Sequence, residues 1–253
     1  MKITFLGTGT SQGVPVIGCS CEVCQSLDYR DKRLRSSIHI QVDELSLVVD
    51  TGPDFRQQML RERINKLDAV LFTHSHKDHI AGLDDVRAYN YLQKGDMPVY
   101  GNGDVLAQLK TEFYYAFEKN KYKGIPQLKL YEINHEPFSI GSTKILPLPV
   151  LHYQLPVLGF RIKNFSYITD ANQIPEQTLN LLEGTETLVL NALQREKHLS
   201  HFNLAEALAM AERIGAKQTY FIHISHKLGC HKIVERELPK SVALAYDGLS
   251  IEV

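Results

Sequence analysis

Short runs of Val, Ile, Leu, Phe and Thr recur along the chain, each closed by turn-forming residues. They lie at Ile3–Leu6, Ile38–Val42, Leu45–Val49, Ala69–Thr73, Pro98–Tyr100, Leu128–Ile133, Thr143–Leu151, Val157–Ile162, Phe165–Thr169, Thr187–Leu190, Thr219–Ile224 and Val242–Ala245. Their lengths and β-branched content predict strands. Asp43–Glu44, between two of them, reads as a hairpin turn. Helical spacing fills the gaps. Pro53–Arg63 and Pro175–Leu182 each open on a proline suited to a first helical turn. Gly103–Lys119 sets Val105, Leu106, Leu109, Phe113 and Phe117 at helical intervals. Asn203–Ile214 has Asn203 as N-cap, an Ala-rich face and Gly215 as a stop. Strands come first, then strands mixed with helices, and this order occurs roughly twice. Such a chain is α/β, and the doubling suits two sheets packed face to face with helices outside, a four-layer αββα sandwich. Periodicity alone gives only the mixture; the layering rests on the motifs below. No low-complexity segment, repeat or linker divides the chain, so 1–253 reads as one domain.

Composition narrows the field. With 28 Lys plus Arg against 29 Asp plus Glu, the formal net charge is −1. That excludes a protein holding nucleic acid mainly by a basic surface, though not a locally basic groove. No apolar run reaches the ~18–20 residues of a membrane span. The opening MKITFLGTGTSQG meets glycine too early for a secretory signal, so a cytoplasmic location is expected. Four cysteines do not make a disulfide framework, and three of them crowd into residues 19–24. In a reducing compartment that crowding points to metal. Eleven histidines are present, and their spacing decides their meaning.

Ala69-Val-Leu-Phe-Thr-His74-Ser-His76-Lys-Asp78-His79-Ile-Ala-Gly82 ends a buried strand in three imidazoles and a carboxylate within six residues. His74 and His76, two apart on extended backbone, project to one side. Asp78 and His79 fall where a helix starts and can aim elsewhere. Two pairs aimed at two nearby points suit a pair of metal ions. A lone loop histidine is usually surface scatter; this density of ligands is not. More ligands follow at strand ends: His152 after Ile145–Leu151, Asp170 after Phe165–Thr169, and His223 after Thr219–Ile222. Singly, each has a bland explanation as a cap or a half-buried side chain. The repetition of apolar strand followed by ligand shifts the balance.

His74-x-His76-x-Asp78-His79 with Gly82, followed by His152, Asp170 and His223, resembles the metallo-β-lactamase superfamily over nearly the whole chain. The resemblance implies that family's αββα sandwich and a hydrolase with two divalent ions (Zn, Mn or Fe). It implies His74, His76 and His152 on one ion, Asp78, His79 and His223 on the other, and Asp170 between them. A carboxylate rather than a cysteine at the bridge resembles the phosphodiesterase and thioesterase branches. Asp50, in Leu47-Val-Val-Asp50-Thr-Gly52, matches a residue that supports the ligand histidines from behind.

Cys19-Ser-Cys21-Glu-Val-Cys24 offers three thiolates, which with one histidine make a closed structural zinc site. His226, in Ile222-His-Ile-Ser-His226, is the expected fourth ligand, with Cys230 and His231 as competitors. A redox-active thiol cluster is the alternative. Gly7-Thr-Gly9-Thr-Ser11-Gln-Gly13-Val-Pro15, the cysteine run and Ile222–His226 together are similar to the cyclic-phosphate phosphodiesterases of the carbon–phosphorus lyase pathway and their relatives. In that group the three cysteines and the second histidine of this motif bind structural zinc. A pyrroloquinoline quinone biosynthesis protein has a comparable cluster, so the cluster does not define a substrate. The glycines are spaced G-x-G-x3-G with no following Gly-Lys-Ser/Thr, which excludes a P-loop and leaves a tight turn beside the metal site.

His201, in His198-Leu-Ser-His201-Phe-Asn, precedes a predicted helix. It resembles the phosphodiesterase histidine that contacts the phosphate and protonates the leaving oxygen; the same segment resembles the histidine motif of ribonuclease Z. A helix cap is its bland alternative, and His198 its rival. His39 and His135 read as structural, while Tyr89, Asn90 and Tyr91 are candidates to line the pocket. The expected chemistry is hydrolysis of a small, cyclic phosphodiester. Two ions ~3.5–4 Å apart would share a hydroxide that attacks phosphorus. His201 would act as acid and Asp78 would orient the nucleophile. A ribonuclease Z-like nuclease is the alternative, disfavoured by the charge of −1 and the lack of a basic arm. A thioesterase or lactonase fits the same pocket. A non-enzymatic zinc-stabilised interaction module would need an incomplete ligand set. The expected partner is a small-molecule phosphodiester, with no membrane and nucleic acid not favoured; a homodimer is a family-level expectation.

Overall fold

The computed structural model describes residues 1–118 and 124–253. Two seven-stranded sheets face each other. The first contains β1 (Lys2–Gly7), β2 (Ser37–Val42), β3 (Leu45–Val49), β4 (Ala69–Leu71), β5 (Met97–Gly101), β6 (Leu128–Glu132) and β14 (Ser250–Glu252), in the order β14-β1-β2-β3-β4-β5-β6. The second contains β7 (Phe138–Ile140), β8 (Thr143–His152), β9 (Leu155–Ile162), β10 (Phe165–Tyr167), β11 (Thr187–Asn191), β12 (Gln218–Ile222) and β13 (Val242–Leu244), in the order β13-β12-β11-β10-β9-β8-β7. Each sheet passes from antiparallel to parallel pairing. In the first the change comes at β3, in the second at β10. This is the doubled order seen in the sequence.

Both faces of the central strands are buried, which is why they read as continuous apolar runs rather than alternations. Leu47, Val49 and Leu71 of the first sheet pack against Phe160, Tyr167, Val189 and Ile222 of the second. Their neighbours Val48, Val70 and Val99 point outward onto Phe55, Met59, Val105 and Leu109. These come from α2 (Phe55–Glu62) and α5 (Gly103–Glu112); α1 (Glu22–Gln25) precedes α2, and α3 (Lys77–Ile80) and α4 (Arg87–Gln93) lie between the two. Leu188, Leu190 and Phe221 point outward onto Leu182 of α6 (Glu176–Leu182) and Ala207 and Ala211 of α7 (Leu204–Ile214). The result is the αββα sandwich, closed by α8 (His231–Val234) near the end.

Several boundaries differ from the sequence pattern. The helix expected over Gly103–Lys119 stops at Glu112 and gives way to a 3-10 turn at Tyr114–Ala116. A 3-10 turn brings positions three apart together, so Phe113 and Ala116 are buried without a longer helix. Lys119 lies outside the described residues. Pro53 stays outside α2, and Arg63 caps its end in the left-handed region at φ 53°. Pro175 is the N-cap of α6 rather than its first residue. The edge strands β7 and β14, Phe-Ser-Ile and Ser-Ile-Glu, hold too few consecutive apolar residues to signal themselves. β4, β10 and β12 stop two residues before their apolar runs do. The residues that follow have left regular pairing and lead into Asp170, His223 and the histidine motif. These strand ends, with those of β3 and β8, converge at one end of the sandwich, the usual place for ligands in parallel sheets. Among the described residues no helix is long and apolar enough to cross a membrane.

Candidate metal centre

The convergence gathers side chains from five strand ends in both sheets. The rings of His74, His76 and His152 lie 4.6, 5.2 and 5.8 Å apart pairwise. Beside them, Asp78, His79, Asp170 and His223 each offer a donor atom within 4.8 Å of the others. Asp170 touches several neighbours at once. Its Oδ2 lies 3.3 Å from His79 Nε2, and its Oδ1 lies 3.2 Å from His223 Nε2 and 3.8 Å from His201 Nδ1. His152 and His201 pack at 4.5 Å on the other side.

Backbone strain helps aim these groups. Asp50, Asp170 and His223 all adopt left-handed conformations, at φ 63°, 57° and 54°. Such angles are uncommon for residues with a Cβ and cluster at functional sites. Close backbone packing contributes too. A Cβ on Gly52 would overlap the Asp78 carbonyl, and one on Gly82 would overlap the Gly52 carbonyl. Both glycines let the Asp50 loop lie against α3, tied by Thr51 N–H to the His79 carbonyl at 2.7 Å.

Hydrogen bonds then fix the tautomers. His152 Nδ1 must donate to the Ser200 carbonyl at 2.8 Å, which frees its Nε2 lone pair. Asp50 Oδ2 accepts from His79 Nδ1 at 2.7 Å and from the Thr73 hydroxyl at 2.8 Å. With its proton spent on Asp50, Thr73 Oγ1 accepts from His74 Nδ1 at 3.0 Å. His74, His79 and His152 therefore all present Nε2 inward, the arrangement metal-ligating histidines use. The buried Nε2 atoms of His74 and His79, and Nδ1 of His201, have no hydrogen-bond partner. Carboxylate oxygens ring His79 Nε2 at 3.2–3.3 Å without hydrogen-bonding geometry. Unpaired buried nitrogens among carboxylates are costly unless they share a cation, and this N/O donor set fits zinc, manganese or iron.

The electrostatics agree. Burial raises Asp170, but His223 and His79 outweigh it and hold the carboxyl well below its usual range. Asp78 is likewise held down by His79 against burial. His79 is lowered by burial, yet Asp170, Asp50 and Asp78 lift it well above its ordinary value. Burial and the neighbouring His79 push His74 far down, so its ring stays neutral. Three carboxylates thus gather where, among the described residues, no lysine or arginine pairs with them.

The cysteine loop forms a second cluster. His226 Nδ1 lies 3.3 Å from Cys19 Sγ, 3.3 Å from Cys21 Sγ and 3.6 Å from Cys24 Sγ. The backbone at Cys24 and then His226 draw the Cys21 thiol down to about 6, while burial pushes Cys24 up to about 11. Of the competitors, Cys230 only packs against the cluster. His231 faces away, with Nδ1 3.1 Å from Arg33 Nη2.

Other candidates are redistributed. The cap of α7 is Asn203, whose side chain accepts from Glu206 N–H at 2.9 Å, so His201 is free of that duty. Tyr89 and Asn90 do not line the centre. Tyr89 donates to the Ile64 carbonyl, and Asn90 to the carbonyls of Gly95 and Gln127. His39 bonds to Ser46 at 2.7 Å. Sequence reading missed Thr73, Ser200 and Thr10, the last with Oγ1 3.2 Å from His223 Nε2. Only Thr73, adjacent to His74, carried a local hint.

Fold and donors together define a class, and comparison with known proteins agrees. A family profile described as "Beta-lactamase superfamily domain" matches residues 46–224, and the chain belongs to that superfamily of hydrolases. Within it the relation is to the PhnP family. A crystal structure of a new diphosphatase from that family is 41% identical, covers 100% of this chain and 97% of its own, and has a TM-score of 0.93. The octanoyltransferase of Porphyromonas gingivalis (strain ATCC BAA-308 / W83) is 38% identical over 252 residues. The match takes in 98% of this chain but 51% of that protein, so the chain spans about half the length of that curated relative. A ribonuclease Z from Anoxybacillus flavithermus (strain DSM 21510 / WK1) is 24% identical over 100% of this chain and 97% of its own length.

Proposed function

We propose that the chain hydrolyses a small phosphodiester, a cyclic ribose phosphate foremost, at a dinuclear centre. His74, His76 and His152 would hold one divalent ion, Asp78, His79 and His223 the other, with Asp170 shared. The observation that carries this reading is the reach of Asp170, whose two oxygens approach His79, His223 and His201 at 3.3, 3.2 and 3.8 Å. When bound, such ions lower the pKa of a water and neutralise phosphoryl oxygens as charge builds.

The chain's own groups supply the rest. Asp50 and Thr73 hold His79 and His74 in one tautomer and one orientation. Asp78, partly buried, orients the nucleophile. His201 protonates the leaving oxygen. Burial and His223 hold its ring neutral at rest, so it would first take up the proton that the attacking water loses and then pass it to the leaving oxygen. Cys19, Cys21, Cys24 and His226 would hold a structural zinc. Their free thiols suit a reducing cytoplasm, and 1–253 acts as one domain.

One second reading, thioester hydrolysis, draws support from the 38% identity to half of a protein named octanoyltransferase. The cavity next to His201, walled by Ser11, Gln12, Gln194 and His198, is too polar to favour an octanoyl chain. A panel of bis-p-nitrophenyl phosphate, 2′,3′-cyclic AMP, pre-tRNA and an octanoyl thioester, each with Mn²⁺ or Zn²⁺, ranks the readings. Small diesters should be turned over best. Turnover confined to pre-tRNA or to the thioester would overturn the proposal.

A further inference from the structure

In the first sheet Ile3, Phe5, Ile38, Ile40 and Leu47 face the second sheet. Strand alternation therefore turns Lys2, Thr4, His39 and Ser46 to the outer face. Higher on that face, Phe55 and Met59 of α2 cover Val48. The helix stops at Glu62, and Arg63 leads the chain away in a left-handed conformation at φ 53°. The outer face below it is left as a hollow of about 640 Å³, floored by these polar strand residues. It lies at the starts of β1 and β3, roughly 17 Å from Asp50 at ~3.3 Å per strand residue. It contains no donor of either ligand cluster.

The floor is polar and nearly closed to solvent. Thr4, His39 and Ser46 are 5, 5 and 7% exposed. The Ser46 hydroxyl donates to the Lys66 carbonyl at 2.6 Å, so it accepts from His39 Nε2 at 2.7 Å. That fixes the tautomer and leaves the lone pair of the ring on Nδ1. Burial and then Lys2 push the ring down to about 4, so it is neutral at physiological pH. Among the described residues no group donates to His39 Nδ1, although the ring lines the hollow. A buried acceptor in this position calls for a donor from outside the chain.

Most charges around the hollow are already paired. Asp43 is held by Lys163, Glu62 by Arg61 and Asp68 by Lys66. Lys2 and Arg63 are exposed and make no ion pair among the described residues; Glu44, at the tip of the hairpin turn, is the carboxylate there in the same condition. The hollow therefore offers an acceptor at its floor and two free cations on different walls.

We infer that this hollow binds a sugar phosphate, one hydroxyl donating to His39 Nδ1 and the phosphate lying between Lys2 and Arg63. A guanidinium fork suits phosphate oxygens. The volume falls within the ~300–1,000 Å³ of small-molecule sites, more room than a bare phosphate needs. The Thr4 and Ser250 hydroxyls, 2.8 Å apart, add hydrogen-bonding groups for the sugar. Because the hollow stands apart from the metal centre, the inference does not depend on what that centre hydrolyses.

The test uses the Zn²⁺-loaded protein with ribose 5-phosphate, ribose and inorganic phosphate as probes. In nuclear magnetic resonance spectra, ribose 5-phosphate should shift the amides of residues 2–4, 39–46 and 62–66 and move the His39 Nδ1 resonance. Lys2→Gln and Arg63→Gln should each weaken its binding by about fivefold in calorimetry, the upper end for an exposed ion pair. His39→Phe should weaken it by about tenfold, the worth of one hydrogen bond. Hydrolysis of bis-p-nitrophenyl phosphate should be unchanged in all three variants. Ribose and phosphate should each bind more weakly than ribose 5-phosphate. If His39→Phe does not fold, the Nδ1 resonance and the two surface variants decide. No shift at millimolar ribose 5-phosphate overturns the inference. So do shifts confined to residues 74–82 and the other metal-centre segments, binding indifferent to both surface substitutions, or inorganic phosphate binding as tightly as the sugar phosphate.

Discussion

Two clusters of potential metal ligands meet in one short segment, at His223 and His226, yet they are built in different ways. The histidine–carboxylate centre draws its donors from strand ends of both sheets. It is largely buried, and its rings are set by the hydrogen bonds they donate to Asp50, Thr73 and Ser200. The cysteine cluster takes three donors from one six-residue loop, with a local core of only Val14, Val23 and Cys24. Among the described residues, His226 is the distant residue that joins this donor group. The sandwich holds the first cluster in place, whereas the second must itself hold its loop. Losing a donor should therefore cost chemistry at the first and local structure at the second.

The sharpest way to break this contrast is His76→Ala. His76 is exposed, so the fold should survive. Loss of several kcal/mol of transition-state stabilisation should cut diester hydrolysis about 10³-fold. Steady-state kinetics beside a thermal melt will show whether activity falls alone. Next in size is Asp50→Asn, which leaves every donor in place but weakens the acceptor behind His79 and Thr73. Metal affinity at the histidine centre should drop roughly 10–100-fold. Equilibrium dialysis should find the ion of the cysteine cluster unaffected. Cys24→Ser should remove one tightly held ion and speed hydrogen exchange across residues 14–32, with the central strands unchanged. If exchange rises evenly over both sheets, the cysteine loop is not a local unit. Asn203→Ala is the smallest change and belongs to neither cluster. Loss of the α7 cap costs about 1 kcal/mol, lowering Tm by roughly 2–4 °C for a domain of this size. Metal content should not move.

What could be read from the chain follows from how local each signal is. His74–His79 and Cys19–Cys24 each fit within six residues, so they stand out without any fold. Strand positions were legible because both faces of the central strands are apolar. Their ends were not, because Thr73, Thr169 and Ile224 continue an apolar or β-branched run after the regular strand has ended. The end of α5 was hidden because Phe113 and Phe117 keep helical spacing while the backbone turns. Tyr89 and Asn90, close in sequence to the histidine motif, face other parts of the chain. Proximity in sequence was no guide there.

The sequence by itself determined the α/β class, the doubled order of elements and the residue types available for metal chemistry. Those are short-range properties, fixed by side-chain size, polarity and spacing. Only the tertiary structure decided which groups meet. It set Asp170 between His79, His223 and His201, chose His226 over His231 to face the sulfurs, and bound Ser200 to His152. It also left His39 at the floor of a hollow that α2 stops short of covering. Such contacts join residues up to about two hundred positions apart in the chain, as Cys19 and His226 are. They arise when apolar faces on distant strands are buried together, an outcome of packing that no local pattern of residues records.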